Sequence, residues 1–463
     1  NIKEFEGIGI DYSLSLLKLW LKSVTVYTKH SAEQSEFRFI EFFKTHPVSQ
    51  NILNDIVSNK IFPSFGPYDG KIVSAFWNLN IYTNQRHLGL SYALALLLIY
   101  VLIQPLFVSH KPHKPHQVTK FLDLFFGKEI DISPNSLAKS IGLGILLSVF
   151  FYLHLGVFTF TVVIVCMLAL FFRAIRFQTV IILSIGLLFS IPQYLYQTSD
   201  TSTFSLLIRP GYLISHDLTF FKFVEYWFMN LGIIAILMFG GIIFAPLKLK
   251  KIFFAFFTLF IIGNTFQFAP EIAGNHKFFN FFMIGGNMLA AYFLIFLWKR
   301  SQALKPFVII VTFFSILSGI LDFFPVFNDQ KMVLPDYPTD KTIAWIIDNT
   351  YTDDVFLNTS FLYDPASLAG RKIFLGWPYF AWSAGYNTDD RSQKLKTILT
   401  ASTQSEFCTM ALNNNISYVG ISKLNNNDPN FPTLSLIYNN LPYVYNNETY
   451  KIIRVRSVCS YEK

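Results

Sequence analysis

The stretch FAPEIAGNHKFFNFF, residues 268–282, sets Glu271, Asn275, His276 and Lys277 between two strongly apolar segments. An ionisable group at membrane depth is costly unless it is paired or faces a polar cavity, so each marks a candidate site. On a helix starting near Asn275, His276 and Lys277 fall in the first turn, where backbone N–H groups lack intrahelical partners. Lysine is unfavourable at that end of the helix dipole, so helix stability does not account for it. An anion does: N–H groups, an imidazole and an ammonium together suit a phosphate. The competing reading is an interfacial lysine.

Two more polar clusters stand beside apolar runs. NLNIYTNQRHLGL places Asn84, Gln85, Arg86 and His87 just before one, and the Arg86 guanidinium offers a fork of donors matched to phosphate. It also reads as an anchor whose stem lies along apolar surface while the head reaches water. RPGYLISHD carries Arg209, His216 and Asp217, and Glu225 follows about one turn into the next helix, either facing a watery groove or serving structure. His154, two residues before Gly156 at a turn, reads as a structural histidine. Glycine-rich phosphate loops, HExxH, CxxC and GxSxG are missing, which removes the common soluble-enzyme motifs.

The elements that must hold these groups are membrane spans. Of the 463 residues 52% are hydrophobic, 52 are Phe and only 14% are charged, unlike an ordinary soluble domain. A transmembrane helix needs about 17 to 25 mostly apolar residues. Runs at 87–107, 177–195, 223–244, 252–268, 278–298 and 306–324 meet that need. A double-length run at 137–172 breaks at His154-Leu155-Gly156 and reads as two shorter helices, giving eight spans.

The net charge of +8 is explained by where it lies. Lys111, Lys114, Lys120 and Lys128, then Arg173 and Arg176, then Lys248, Lys250 and Lys251, then Lys299, Arg300 and Lys305 fill alternate connections. The intervening ones hold only Arg209, Lys222 and Lys277. Such alternation follows the positive-inside rule and makes nucleic acid an unneeded partner. It puts residues 1–86, the loop 197–222, the stretch 270–277 and everything after Phe324 outside the cytoplasm. Cys408 and Cys459 then face an oxidising compartment and either pair or stay free. Sequons at Asn358, Asn415 and Asn447 lie on that side too, in a chain rich enough in Asn for them to arise by chance.

The expected fold class is mainly α: a polytopic transmembrane bundle followed by a small extracytoplasmic α/β domain. Residues 1–86 form interfacial helices and loop, with amphipathic stretches at 11–27 and 35–46; 87–324 form the membrane domain; 325–463 form the α/β domain. In the last, helices are expected at 339–349, 364–370 and 389–401 and from Thr403, where Thr403 and Glu406 have capping-box spacing. Strands are expected at 354–360, 371–376 and 416–422, with a hairpin over 443–455 turning at Asn446-Asn447.

Through NQRH, RPGYL with FVEYWFMNLG, NTFQFAPEIAGNHKFFNFF and GWPYFAWSAGY, the sequence resembles the GT-C superfamily of membrane glycosyltransferases, in the form with a C-terminal α/β domain. The resemblance runs over most of residues 75–460. It implies sugar transfer from a polyprenyl-phosphate donor to a glycan, lipid or protein acceptor outside the cytoplasm. Lys277, His276, Arg86 and Arg209 would hold the donor phosphate, supported by Asn275, His87, Gln85 and Glu225, with Glu271 as catalytic candidate. One departure matters. Such enzymes carry an acidic motif in their first outer loop, supplying the base and any divalent metal ligand, whereas Glu129-Ile130-Asp131 falls on the cytoplasmic side. Since Asn1 opens on a polar stretch without a signal peptide, that loop is expected upstream, with no cofactor site of its own in this chain. A transporter or flippase of lipid-linked sugars, and a membrane-anchored assembly protein, are the rival readings.

Overall fold

The computed structural model describes residues 42–43, 46, 48–60, 86–107, 133–197, 206–214, 218–328, 339–360, 363–383, 385–422 and 434–459. The chain divides into two compact units, one of residues 1–199 and 206–329, the other of 200–205 and 330–463. The amphipathic stretch at 11–27 and most of that at 35–46 lie outside the described residues.

The first unit is helical. After α1 (Ile52–Val57) come α2 (Arg86–Ile103), α3 (Pro134–Leu153), α4 (Leu155–Phe171), α5 (Arg176–Gln197), α6 (Phe220–Leu231), α7 (Ile233–Phe244), α8 (Leu247–Thr265), α9 (His276–Arg300) and α10 (Lys305–Phe327). All eight expected apolar segments contain helix, yet five helices among the described residues are long and apolar enough to cross a membrane, or six if α6 and α7 cross together. Three features reduce the expected eight. The helices α6 and α7 meet at 100° rather than running straight through 223–244. Gly232 makes the bend, at φ 57 and ψ −139, a region open to glycine and hostile to side chains. The 17-residue α4 is short, and Lys248, Lys250 and Lys251 occupy the start of α8.

The break in the double-length run falls where the sequence put it. His154 is extended, at φ −164 and ψ 104, and its Nδ1 accepts the N–H of Val157, so the histidine caps α4. At the opposite ends of the helices the basic residues act as caps as well. Lys248 Nζ donates to the carbonyl of Leu106 at 2.6 Å, Lys250 to Ile243 at 3.1 Å and Lys251 to Phe171 at 3.2 Å. Arg176 reaches the Ala169 and Leu170 carbonyls. Unpaired C-terminal carbonyls and the negative end of the helix dipole both favour cations there. The positive residues of the charge pattern thus close the ends of α2, α4 and α7.

Small residues let these helices approach, as packing within a membrane requires. A Cβ on Gly241 of α7 would stand 2.5 Å from the Leu289 carbonyl oxygen of α9. The helices α3 and α5 meet similarly through Gly144 against Ile185 and Gly186 against Leu147. The buried core joins Leu88, Leu98, Phe150, Ile164, Phe256, Phe279 and Phe281 across five helices. The expected helix over 252–268 ends early, at Thr265, because Phe266–Gln267 (β2) pairs antiparallel with Leu207–Ile208 (β1).

The second unit is an α/β sandwich. Its strands are β3 (Val355–Leu357), β4 (Lys372–Ile373), β5 (Tyr418–Ser422), β6 (Tyr445–Asn446) and β7 (Tyr450–Arg454), in the order β4-β3-β5-β7-β6. The first three are parallel; β7 runs against β5 and closes a hairpin with β6. The period of two is visible in the core: Phe356, Tyr418 and Ile452 pack on one face with Ile343 and Ile346, while Leu357, Val419 and Ile453 pack on the other with Leu395, Ile398 and Phe407. The flanking helices are α11 (Lys341–Asn349), α12 (Pro365–Leu368), α13 (Pro378–Ser383), α14 (Asp389–Leu399), α15 (Gln404–Asn413) and α16 (Val455–Cys459). Thr403 caps α15 by accepting the Glu406 N–H, and the Glu406 carboxylate accepts from Ser402 N. Cys408 and Cys459 are joined in a disulfide that ties α15 to α16. Of the three sequons, Asn358 is buried and the Asn447 amide is spent on Thr342, Tyr445, Thr449 and Tyr450, while Asn415 is exposed.

Candidate functional site

The polar residues of the helical unit separate into two groups, one of which has the makings of an anion site. His87 stands in the first turn of α2, exposed, and its ring stacks on His154 with centroids 5.5 Å apart and planes 29° apart. Lys277, half-buried in the first turn of α9, lies within electrostatic reach of both His154 and His276. The Tyr92 hydroxyl donates to the Lys277 carbonyl at 3.2 Å and fixes α2 against α9. Three starts of helices, those of α2, α4 and α9, therefore bring His87, His154, His276 and Lys277 into one neighbourhood. Phe160 on Phe278, at 4.5 Å, and Tyr92 on Phe281, at 4.8 Å, all four buried, pack α4 and α2 against α9 there.

The N–H groups expected to assist are partly consumed. A single turn of 3-10 helix, Ile272–Asn275, runs into α9, and the His276 N–H is donated to the Ala273 carbonyl. His276 itself is buried, with Nδ1 2.9 Å from the same oxygen. Attraction for an anion rests on the side chains, the Lys277 ammonium foremost.

Other residues singled out in the sequence serve elsewhere. Asn275 is buried and structural: its amide donates to the Gly263 and Phe266 carbonyls and so holds the end of α8 against the start of α9. Arg209 is exposed and donates to Gln267 Oε1 at 3.2 Å, while Gln267 donates in turn to Ala269 and Pro270. That chain of bonds fixes the β1–β2 pairing, as does Tyr212, which reaches the Ala273 carbonyl from a left-handed conformation. Glu271 precedes the 3-10 turn, half-buried, without capping it. Glu225 is exposed on α6. Arg86 opens α2, but its side chain lies outside the described residues, as do Gln85, His216 and Asp217. Among the described residues no group of three or more His, Cys, Asp or Glu could hold a metal ion.

Two features escaped the sequence reading. His154 belongs to the cluster, and only its placement on the same side as residues 270–277 hinted at that. His276, Asn280 and Asn287 are all buried and spaced by four and seven, which puts them on one stripe of α9 running from the cluster into the bundle.

No family model matches the chain, and no curated protein is significantly similar to it.

Proposed function

We propose that the chain belongs to a multi-pass membrane glycosyltransferase that takes a sugar from a polyprenyl-phosphate donor, with the donor phosphate held by Lys277, His154 and His87. The meeting of the ammonium with the stacked histidine pair is the observation that carries this reading. A phosphate rewards what is otherwise costly: an ammonium and imidazoles crowded at one place. Positive groups beside the leaving phosphate are also what glycosyl transfer needs, since charge grows there as the glycosidic bond breaks. The base that deprotonates the acceptor is outside the set of residues gathered here; Glu271 is the candidate the chain itself offers.

The α/β unit then faces the extracytoplasmic side. Its disulfide suits an oxidising compartment, and the lysine and arginine caps gathered at the opposite helix ends suit the cytoplasmic surface.

The test is direct binding of a labelled polyprenyl phosphate to the chain in nanodiscs, followed by transfer of labelled sugar from a polyprenyl-phosphate sugar. Lys277→Ala should weaken binding about tenfold, a loss of about 1.4 kcal/mol, and Lys277→Arg should restore part of it. Equal binding by the wild type and Lys277→Ala would remove the phosphate role, and binding without any sugar transfer would favour a flippase.

A further inference from the structure

The second unit leaves several aromatic side chains of one loop exposed. The segment 374–388 leaves β4 at its C-terminal end. Because β4, β3 and β5 are parallel, the loops that follow β3 and β4 share one edge of the sheet, the edge at which open α/β sheets receive ligands. Within this one loop Trp377, Tyr379, Phe380, Trp382 and Tyr386 are all exposed, Trp382 by 40% and Phe380 by 57%, with no exposed aliphatic residue among the loop's described residues.

The loop is built rather than frayed. Gly376 and Gly385 turn the chain at its two ends with φ of 64 and 95. Between them Gly385 N donates to the Trp382 carbonyl at 2.8 Å and Tyr386 N to that of Ala381 at 3.0 Å, while Arg391 Nη1 fixes the Phe374 carbonyl at 2.9 Å. Tyr379 and Trp382, three apart on α13, hold their rings 5.8 Å from each other at 41°. Rings held in place and left open to water are a surface prepared for a partner.

We infer that this loop is a carbohydrate-binding platform, on which Trp377, Tyr379 and Trp382 stack against the C–H faces of sugar rings while Asn387 and Asp389 accept their hydroxyls. The negative face of an aromatic ring attracts the weakly positive axial C–H groups of a pyranose, and Trp and Tyr add a polar edge for its hydroxyls. Two carboxylates open the segment that follows the platform, Asp389 exposed and Asp390 engaged by Lys394 at 2.7 Å, before Arg391 turns back onto Phe374; an exposed carboxylate is an acceptor for sugar hydroxyls. The disulfide in the same unit suits the compartment where glycans are exposed. This platform and the Lys277 cluster are separate sites, and each stands without the other.

The test places the full chain, in phosphatidylcholine nanodiscs, on an array of immobilised oligosaccharides and then titrates it with the best-retained one. Specific retention is expected, weakened about tenfold by Trp382→Ala and largely kept by Trp382→Phe, which preserves a stacking ring. Polyprenyl-phosphate binding by the same variants should not change, which separates this site from the membrane one, and an unchanged melting transition of the α/β unit reports that the variants fold. Failure of every oligosaccharide to bind, or unchanged affinity in Trp382→Ala, overturns the proposal. So does quenching of the loop tryptophans by brominated lipid, which would assign the platform to the bilayer.

Discussion

His87 and His154 stack at 5.5 Å, which joins the start of α2 to the break between α3 and α4. His154 has two tasks at that point, since its Nδ1 also caps α4 through the Val157 N–H at 3.3 Å. Substitution can separate them. Asparagine is a good cap and lacks the ring, while alanine lacks both. His154→Asn should melt near the wild type yet bind labelled polyprenyl phosphate more weakly; His154→Ala should lose about 1 kcal/mol of stability as well. If His154→Asn binds as the wild type does, the imidazole takes no part in ligand binding and its role is the cap alone.

Asp364 poses a stability question in the second unit. It is fully buried, and its oxygens accept the Ala366 N–H, the Tyr450 hydroxyl at 2.8 Å and the Thr359 hydroxyl at 3.0 Å. Burial raises its carboxyl above the usual range, with these hydrogen bonds opposing the shift. A carboxyl whose folded pKa is raised adds stability below its unfolded value and loses that addition as pH rises through the folded one. Stability of this unit should therefore fall as pH climbs above the ordinary carboxylate range. Asp364→Asn should flatten that slope, and Asp364→Ala should cost about 2 to 4 kcal/mol by leaving buried donors unpaired. Urea melts at several pH values, followed through signals of the α/β unit, would show the slope; an identical slope in wild type and Asp364→Asn would place its origin elsewhere.

Much of the α/β unit was readable because its signals are local. Asp340, Asp364 and Thr403 cap the helices they precede, and alternation in 416–422 gives β5 its two faces. The helices of the membrane unit were readable as apolar runs, but hydropathy says nothing about direction, so the bend at Gly232 was hidden and 223–244 read as one span. The cluster was half-readable. His276 and Lys277 stand out in an apolar context, whereas His154 joins them only through packing of three helix ends distant in sequence. The internal bonds of Arg209 and Asn275 were not readable for a related reason: a polar side chain beside a membrane segment can bond within the protein at a helix break as readily as it can meet a ligand.

The disulfide between Cys408 and Cys459 closes a loop over a sequence separation of 51. Loop-closure entropy for a ring of that size corresponds to about 4 kcal/mol of stability, an upper figure because the unfolded chain retains structure. Reduction, or the pair Cys408→Ser and Cys459→Ser, should lower the melting temperature of the α/β unit and speed its proteolysis, while lipid binding by the membrane unit persists. Thiol counting by mass after alkylation gives the redox state directly. Two alkylated thiols at these positions, in protein taken from cells without reductant, would mean that the bond is not formed there.

Sidedness gives the last prediction. The cationic caps at Leu106 and Phe171 lie at the opposite ends of α2 and α4 from the histidine cluster, so an outward-facing cluster requires the caps to face the cytoplasm. Probes must be exposed: Ser360, though in the second unit, is buried, whereas Glu448 is exposed in the β6–β7 turn and Gln302 is exposed between α9 and α10. In a chain whose Cys166 is replaced, Glu448→Cys should react with a membrane-impermeant maleimide on intact cells. Gln302→Cys should react only after lysis. Because the two positions should lie on opposite sides of the membrane, the reverse pattern would invert the topology and move the Lys277 site to the cytoplasmic leaflet. Equal labelling of both on intact cells would mean that the helices between them and the cap-bearing ends do not cross as the charge pattern requires.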